Sequence, residues 1–353
     1  MLIIKEEKVK QTTENNTNSQ LYDVIIIGAG PCGLACGIEA QKQNLSYAIL
    51  DKGNITESIR RYPVNMIFFS SADMISIGEV PFTSLNVRPS RIEALKYYRK
   101  VAEHFGLNIH IFTQVQNIKP EDEHFVLQTS KGTYKARKVV LAIGYYDIPR
   151  QLNVPGEDLP HVTHYYKEPY KYTLTKATVV GGANSAIETA LDLYRNGAQV
   201  TLVHLFDALD KRAKYWIVPD LENRIKKGEV KAYFRSKVTH ITEEAVHIVN
   251  LDTGEKTLIP TDFVFLMVGY RPDAEFMTKV GIQLEGEMLI PRINPDTYES
   301  NIPGIYLAGS VIGGEETAKV FIENGKLHAQ PIMQDILRKI REKKPSTVLN
   351  PKS

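Results

Sequence analysis

A glycine-rich turn between a short apolar segment and a helical segment constrains the fold of this chain most. The residues Gly28-Ala-Gly30-Pro-Cys-Gly33 follow the β-like run Tyr22–Ile27 and open a helical stretch over Cys32–Asn44. The first glycine permits a tight turn, the second lets a pyrophosphate approach the backbone, and the third lets helix and strand pack closely. The next apolar run ends at Asp51, where a carboxylate can bind ribose hydroxyls. This βαβ unit predicts a dinucleotide site with its diphosphate on the helix N-terminus.

The pattern restarts in the middle of the chain with a less regular glycine motif. Val180-Gly181-Gly182-Ala-Asn-Ser-Ala186 follows a predicted strand and opens a predicted helix over Asn184–Arg195. Alanine stands where the middle and last glycines are expected, and in the middle position it narrows the approach to phosphate. The following strand, Gln199–His204, ends without a carboxylate, which favours NADPH because an acid there would repel the 2′-phosphate. Three cations beyond it are candidate phosphate ligands, although they fit a solvated loop equally well: Lys211, Arg212 and Lys214.

Two connectors rich in proline and glycine divide the chain. They span Asp147–Glu157 and Gly269–Asp273, and the late apolar fragment Gly304–Gly309 follows the second. Two crossings of one hinge would make the first domain discontinuous. The predicted fold is α/β, with two Rossmann-like domains, each a parallel sheet with helices and a β-meander, and the second inserted in the first. The predicted boundaries are a mobile extension over 1–20, a first dinucleotide-binding domain over 21–153 and 277–345, and a second, NADPH-binding domain over 154–276.

Composition excludes several other classes of protein. The net charge of +2 comes from 43 basic and 41 acidic residues, which gives no reason to expect a nucleic acid or a membrane surface as partner. The apolar runs are far shorter than the ~18 residues of a membrane span, and the polar first twenty residues do not resemble a signal peptide. Two cysteines make neither a disulfide framework nor a metal set, so we expect a reducing cytoplasm and no metal.

Together these motifs resemble the flavoproteins with two dinucleotide-binding domains, of which low-molecular-weight thioredoxin reductase is the familiar example. The resemblance covers about Leu21–Arg338 and implies FAD in the first domain and NADPH in the second. The implied FAD site comprises Gly28, Gly30, Pro31, Cys32, Gly33, Asp51, Lys52, Val115, Ala142, Gly144, Gly309 and Ser310. With the residues above, the NADPH site comprises Gly182, Asn184, Ser185, His204, Lys211, Arg212, Lys214 and Gly269.

Departures from thioredoxin reductase narrow the function. The predicted NADPH domain contains no cysteine, so the usual Cys-x-x-Cys relay to thioredoxin is excluded. Ser310 stands where the family usually has an aspartate, which changes a hydrogen bond to the ribityl chain. In the NADPH site, only His204 remains of the His-Arg-Arg that the family often carries, and it fits a surface residue equally well.

A narrower resemblance, to the bacillithiol-disulfide reductase family, accounts for these departures. The stretches that carry it are Pro31-Cys32-Gly33, Phe68-Phe69-Ser70-Ser71, Gly144–Pro149, Pro155–Tyr166, Lys214–Asp220 and Phe321-Ile-Glu-Asn-Gly325. The resemblance implies reduction of the disulfide of a low-molecular-weight thiol by NADPH through FAD. It also implies a homo-oligomer, and a bacilliredoxin-type redoxin served indirectly through the thiol.

Cys32 is the candidate catalytic residue. It lies at a helix N-terminus, where the dipole is expected to lower the thiol pKa and favour the thiolate. A thiolate there can form a mixed disulfide with the substrate, and a packing role as a small side chain fits equally well. Cys36 lies one helical turn on, and we expect it in the core.

Three other functions are compatible with the same glycine motifs. A flavin monooxygenase-like enzyme would use oxygen, and a ferredoxin or flavodoxin reductase-like carrier would reduce a protein. An NADPH-sensing module would bind both cofactors without turnover. Interdomain packing or a place at the flavin or NADPH cleft fits five further residues: His161, His164, Tyr165, Tyr166 and Trp216.

Overall fold

The computed structural model describes residues 20–342 of the chain. The predicted extension over 1–20 lies outside the described residues except for Gln20, as do the last three residues of the predicted FAD domain. Among residues 20–342 there are 19 strands: β1 Leu21–Ile27, β2 Tyr47–Leu50, β3 Ile109–His110, β4 Val115–Glu121, β5 His124–Thr129, β6 Gly132–Leu141, β7 Ile148–Pro149, β8 Val162–Thr163, β9 Lys176–Val180, β10 Gln199–Val203, β11 Lys231–Tyr233, β12 Ser236–Ile241, β13 Ala245–Asn250, β14 Lys256–Pro260, β15 Phe263–Leu266, β16 Tyr270–Arg271, β17 Leu284–Glu285, β18 Ile290–Pro291 and β19 Ile305–Leu307.

The same residues form eight α-helices and three short 3₁₀ segments. The helices are α1 Pro31–Lys42, α2 Glu57–Arg61, α3 Arg91–Phe105, α4 Asn184–Arg195, α5 Val218–Lys226, α6 Ala274–Val280, α7 Ile322–Gly325 and α8 Ala329–Glu342. The 3₁₀ segments are Tyr170–Tyr172, Gly309–Gly313 and Lys326–His328. Within this part of the chain, no helix combines the length and apolar character that crossing a membrane requires.

The first sheet has seven strands in the order β3-β2-β1-β6-β5-β4, with β19 also paired to β6. Strands β1, β2, β6 and β19 are parallel, while β4, β5 and β6 form an antiparallel meander. Strand β1 is buried on both faces, as its apolar run predicts: Val24 and Ile26 belong to one core cluster, and Ile25 and Ile27 to another. Because β19 comes from the far end of the chain, this half of the molecule is discontinuous.

The second sheet repeats the plan in the middle of the chain. Its five parallel strands lie in the order β11-β10-β9-β15-β8, and a separate antiparallel sheet contains β12, β13 and β14. The two parallel sheets, each accompanied by helices and an antiparallel meander, confirm the predicted α/β fold. The predicted connectors contribute β7 and β16, which pair antiparallel with each other where the chain crosses between the two halves.

Local sequence signals predicted both ends of α3. The side chain of Ser90 caps α3 by accepting from the N–H of Glu93, whose carboxylate accepts from the Ser90 N–H at 2.8 Å. The helix ends at Gly106, whose φ of +58° is left-handed. This confirms the capping box and the stop near Gly106 that the sequence predicts.

Candidate functional site

The first glycine turn is shaped by two close backbone approaches and one open position. A Cβ on Gly28, whose φ is +110°, would lie 2.4 Å from the carbonyl oxygen of Ala142. A Cβ on Gly33 would lie 1.9 Å from the carbonyl oxygen of Gly28. A Cβ on Gly30 would meet no protein atom within 4 Å. Gly28 and Gly33 therefore serve the packing of the protein on itself, and Gly30 leaves space at the N-terminus of α1 for a ligand.

Asp51 at the end of β2 fixes this turn. One carboxylate oxygen accepts from the N–H of Ala29 at 2.6 Å and the other from the N–H of Gly53 at 2.7 Å. Burial raises the pKa of Asp51 against the opposing effect of these two hydrogen bonds. The carboxylate thus holds the turn and faces the space beside it.

One cavity of about 620 Å³ collects nearly all the predicted FAD residues. Its lining includes Gly28, Gly30, Pro31, Cys32, Asp51, Lys52, Val115, Ala142, Gly144, Gly309 and Ser310. The predicted residue outside this lining is Gly33, whose place is the helix–strand contact. The open glycine position, the carboxylate at the strand end and the volume of the cavity fit the flavin dinucleotide that the sequence resemblance implies.

The predicted NADPH residues divide between those that line this cavity and those that do not. Asn184, Ser185 and Lys214 line the same cavity. His204 packs its ring on Gly182, since a Cβ there would lie 2.3 Å from the imidazole, and burial lowers the pKa of His204. The other three are not among the lining residues: Lys211, Arg212 and Gly269. Arg212 is largely exposed and pairs with Asp210 at 2.9 Å.

Lys214 is buried between the two halves. Its side chain is 5% exposed, and its ammonium donates to the Glu188 carboxylate and, at 2.6 Å, to the backbone carbonyl of Ile67. Ile67 belongs to the first half, whereas Glu188 lies on α4 of the second. In this arrangement the ammonium is satisfied by protein groups. Its predicted contact with the NADPH phosphate stays a prediction.

Aromatic residues pack at the crossing between the halves. Tyr165 stacks on Tyr270 with ring centroids 5.4 Å apart, and the guanidinium of Arg61 lies 4.7 Å from the Tyr165 ring. Tyr166 lines the cavity and donates to Asp192 at 2.7 Å.

Trp216 belongs to the second half and packs against residues of the first half. It stacks on Phe69 at 5.9 Å and lies 4.5 Å below the guanidinium of Arg88. These contacts favour the packing role that the sequence left open for Trp216.

Cys32 lines the cavity but does not have the low pKa expected of a helix N-terminus. Its Sγ would lie 2.9 Å from a Cβ on Gly309 and 3.0 Å from one on Gly325, so the thiol is enclosed by two glycines. Burial, helped by the nearby Glu323 carboxylate, raises the pKa of Cys32 to about 12. The expected lowering was wrong because desolvation outweighs the dipole. Cys36 is fully buried, which confirms its place in the core.

We therefore expect the Cys32 thiol to resist alkylation in the resting protein. With a pKa of about 12, roughly one thiol in ten thousand is ionised at pH 8, and the thiolate is the reactive species. Iodoacetamide at pH 8 should modify Cys32 at least about 100-fold more slowly in folded than in urea-unfolded Cys36→Ala protein. Equal rates in the two states would show that the thiol ionises freely.

His328 supports the wall of the cavity at Gly309, and no sequence signal identified it. Its Nδ1 accepts from the N–H of Gly309 at 3.1 Å, and its ring stacks on Tyr298 at 4.3 Å. Accepting this bond requires the neutral imidazole, and burial lowers the pKa of His328 to about 4. A lone histidine in a sequence does not reveal such a role.

The lowered pKa of His328 predicts that the folded protein loses stability in mild acid. The unfolded chain binds a proton at His328 near pH 6.5, whereas the folded chain binds it only near pH 4. The contribution of His328 to the free energy of unfolding is fully present above pH 6.5. It falls by about 3 kcal/mol as the pH drops to 4. His328→Asn retains an acceptor and does not titrate. Urea unfolding from pH 7 to 4 should show a shallower fall in this variant, and equal slopes would contradict the assignment.

Known proteins match this chain over most of its length. The family model described as pyridine nucleotide-disulphide oxidoreductase matches residues 25–309. Bacilliredoxin reductase Bdr of Bacillus subtilis (strain 168) is 39% identical over 318 residues, covering 89% of this chain and 97% of the relative. The solved structure of bacillithiol disulfide reductase Bdr (YpdA) from Staphylococcus aureus is 40% identical with a TM-score of 0.88, covering 91% of this chain and 99% of that one. The Bacillus cereus enzyme of the same name is 38% identical with a TM-score of 0.88, covering 91% of this chain and 100% of that one.

Proposed function

Because this chain belongs to the pyridine nucleotide-disulphide oxidoreductases, and among them to the bacillithiol disulfide reductase (Bdr) family, we propose that it reduces bacillithiol disulfide with NADPH. The family implies FAD and a nicotinamide cofactor, NADPH or NADH. One observation supports the proposal above the others. The residues predicted for FAD line a cavity that also contains the start of α4, the second glycine motif's helix.

In this proposal the chain's own residues bind and orient the two cofactors. Gly30 leaves the amides of α1 open to a diphosphate, and Asp51 faces the adjoining space from the end of β2. Asn184 and Ser185 present the start of α4 to the same cavity. When bound, the flavin accepts a hydride from the nicotinamide and delivers two electrons to a disulfide.

The cysteines favour a small disulfide over a thioredoxin-type protein as the acceptor. The whole chain contains Cys32 and Cys36 alone, both on α1, so the second half has no dithiol to relay electrons to a protein. A small disulfide that enters the cavity needs no such relay. A relative is named bacilliredoxin reductase, and we propose that a redoxin receives reducing equivalents from this enzyme through the free thiol.

Preference for NADPH rests on the end of β10. His204 follows this strand where an NADH-binding protein would have a carboxylate. A side-by-side titration of the oxidised protein with NADPH and NADH should give a lower Kd for NADPH.

The proposed reaction is tested by anaerobic stopped-flow of the purified flavoprotein. NADPH is added first, then bacillithiol disulfide, glutathione disulfide or cystine in separate experiments. Rapid reoxidation of the flavin by bacillithiol disulfide alone is the expected result. Reduction by NADPH without reoxidation by any of the three would overturn the proposal and favour a protein acceptor or oxygen chemistry.

The predicted catalytic role of Cys32 has its own test. A Cys32→Ala variant that retains FAD and is reduced by NADPH, yet fails to turn over bacillithiol disulfide, would support a mixed disulfide at this thiol. Unchanged turnover would leave Cys32 with the packing role that its contacts with Gly309 and Gly325 describe.

A further inference from the structure

The carboxylates that line the cavity differ in whether protein groups already satisfy them. Asp51 and Asp273 accept from backbone N–H groups. The other three with partners form ion pairs: Glu57 with Arg60, Asp147 with Arg61 and Lys52, and Glu188 with Lys214. Glu323 lines the same cavity, and within residues 20–342 no hydrogen bond or ion pair holds its carboxylate.

The short segment that contains Glu323 packs against Cys32. It lies in the first turn of α7, two residues before Gly325, whose backbone encloses the Sγ of Cys32. Phe321 and Ile322 line the cavity beside it, so this short segment forms the wall next to Gly309 and Ser310. Cys32 and Glu323 line the same cavity, and the Glu323 carboxylate contributes to raising the pKa of the Cys32 thiol.

Reduction of a disulfide needs a proton that hydride transfer does not supply. NADPH contributes two electrons and one proton, but two thiols require two protons. We propose that Glu323 donates the second proton to the sulfur that leaves when the disulfide is cleaved. This inference rests on the proposed function.

Two electrons and two protons convert the disulfide into two thiols. The S–S bond breaks, and the electron pair of NADPH, which the bound flavin would pass on, reduces both sulfurs. Glu323 takes a proton from solvent through the mouth of the cavity and passes it to the departing thiolate. The hydrogen delivered as hydride accounts for the proton of the other thiol.

Few other titratable groups face this carboxylate. They are the thiol of Cys32 on α1, the buried phenol of Tyr98 on α3 and the ammonium of Lys326 one turn on. Lys326 donates to the carbonyls of Met74 and Ser76, both at 2.7 Å, and Tyr98 donates to the carbonyl of Ile75 at 2.8 Å. Tyr98 and Lys326 are held by backbone acceptors, and burial raises the pKa of Cys32, which leaves Glu323 as the group able to exchange a proton with a ligand.

The test separates the two halves of the reaction in Glu323→Gln, with Glu316→Gln as the matched control. Glu316 lies in the same part of the chain, pairs with Lys319 and is not among the residues lining the cavity. Glu323→Gln should retain FAD, be reduced by NADPH at the wild-type rate and be reoxidised by ferricyanide normally, because ferricyanide needs no proton. Its reoxidation by bacillithiol disulfide should fall about 100-fold, as for a lost general acid.

A solvent isotope effect and a conservative variant exclude a merely structural effect. In Glu323→Gln the disulfide step should lose its solvent isotope effect, and Glu323→Asp should restore part of the rate. Wild-type disulfide reoxidation in Glu323→Gln would overturn this inference alone. Failure of the wild-type protein to reduce any small disulfide, with ferricyanide still reduced, would overturn the proposed function and this inference with it.

Discussion

Alanine at Gly33 is expected to leave little folded protein, whereas alanine at Gly30 should leave a folded apoprotein that no longer retains FAD. A methyl group at Gly33 would lie 1.9 Å from the Gly28 carbonyl, and neither backbone can yield without breaking the packing of α1 on β1. The cost of such overpacking is at least about 3 kcal/mol. A methyl group at Gly30 meets open space and a backbone with an ordinary φ of −71°, so it disturbs only a ligand.

Two separate measurements therefore distinguish the variants, one of folding stability and one of FAD affinity. Thermal unfolding of the FAD-free proteins should show a large fall in Tm for Gly33→Ala and almost none for Gly30→Ala. The ratio of flavin to protein after purification, and the Kd for added FAD, should show affinity reduced at least about 100-fold in Gly30→Ala, roughly 3 kcal/mol. A Gly30→Ala protein that retains FAD at the wild-type ratio would show that the diphosphate binds elsewhere.

Lys214→Met is expected to destabilise the protein strongly, and Glu188→Gln in the same chain should restore most of the loss. Removing the ammonium leaves the Glu188 carboxylate in the cavity wall without its partner, and burial already raises the pKa of Glu188. Breaking such a pair costs about 3 kcal/mol. With both charges removed, methionine packs among apolar neighbours and no buried charge remains.

Urea unfolding of both single variants and the double variant forms a double-mutant cycle that measures this pair. We expect a coupling energy of about 2 kcal/mol, reduced from the buried-pair value because Glu188 is 24% exposed. Arg212→Met serves as the control, since the exposed Arg212 pairs with Asp210 at the surface and should contribute little. Additive single effects would mean that Lys214 and Glu188 act independently.

The sequence predicted those features of the fold that depend on neighbouring residues. The first glycine motif lies between a strand and a helix, so its turn and its opening to a ligand were predictable from spacing alone. Ser90 and Glu93 marked the start of α3 because a capping box needs only residues three positions apart. The apolar runs likewise identified β1 and β10 within a residue.

The features that were missed depend on distant parts of the chain. The pKa of Cys32 follows from enclosure by Gly309 and Gly325, nearly 300 residues later, and a helix-dipole argument does not include them. Lys214 looked like a loop cation, yet Ile67 of the other half accepts its hydrogen bond across 147 positions. Glu323 stood in a recognised stretch, but only its free place in the cavity distinguishes it from the paired carboxylates.

The contacts of residues 64–88 with the second half have a consequence for ligand affinity. This segment meets the second half through Ile67 on Lys214, Phe69 and Arg88 on Trp216, and the Val64 N–H on the Lys167 carbonyl at 2.8 Å. Such contacts favour one orientation of the halves, and each 1.4 kcal/mol in their favour raises its population tenfold over any other. A ligand that binds a different orientation loses apparent affinity by the same factor. Substitutions at Arg88, which is not among the residues lining the cavity, are therefore expected to change the Kd for a nucleotide bound there.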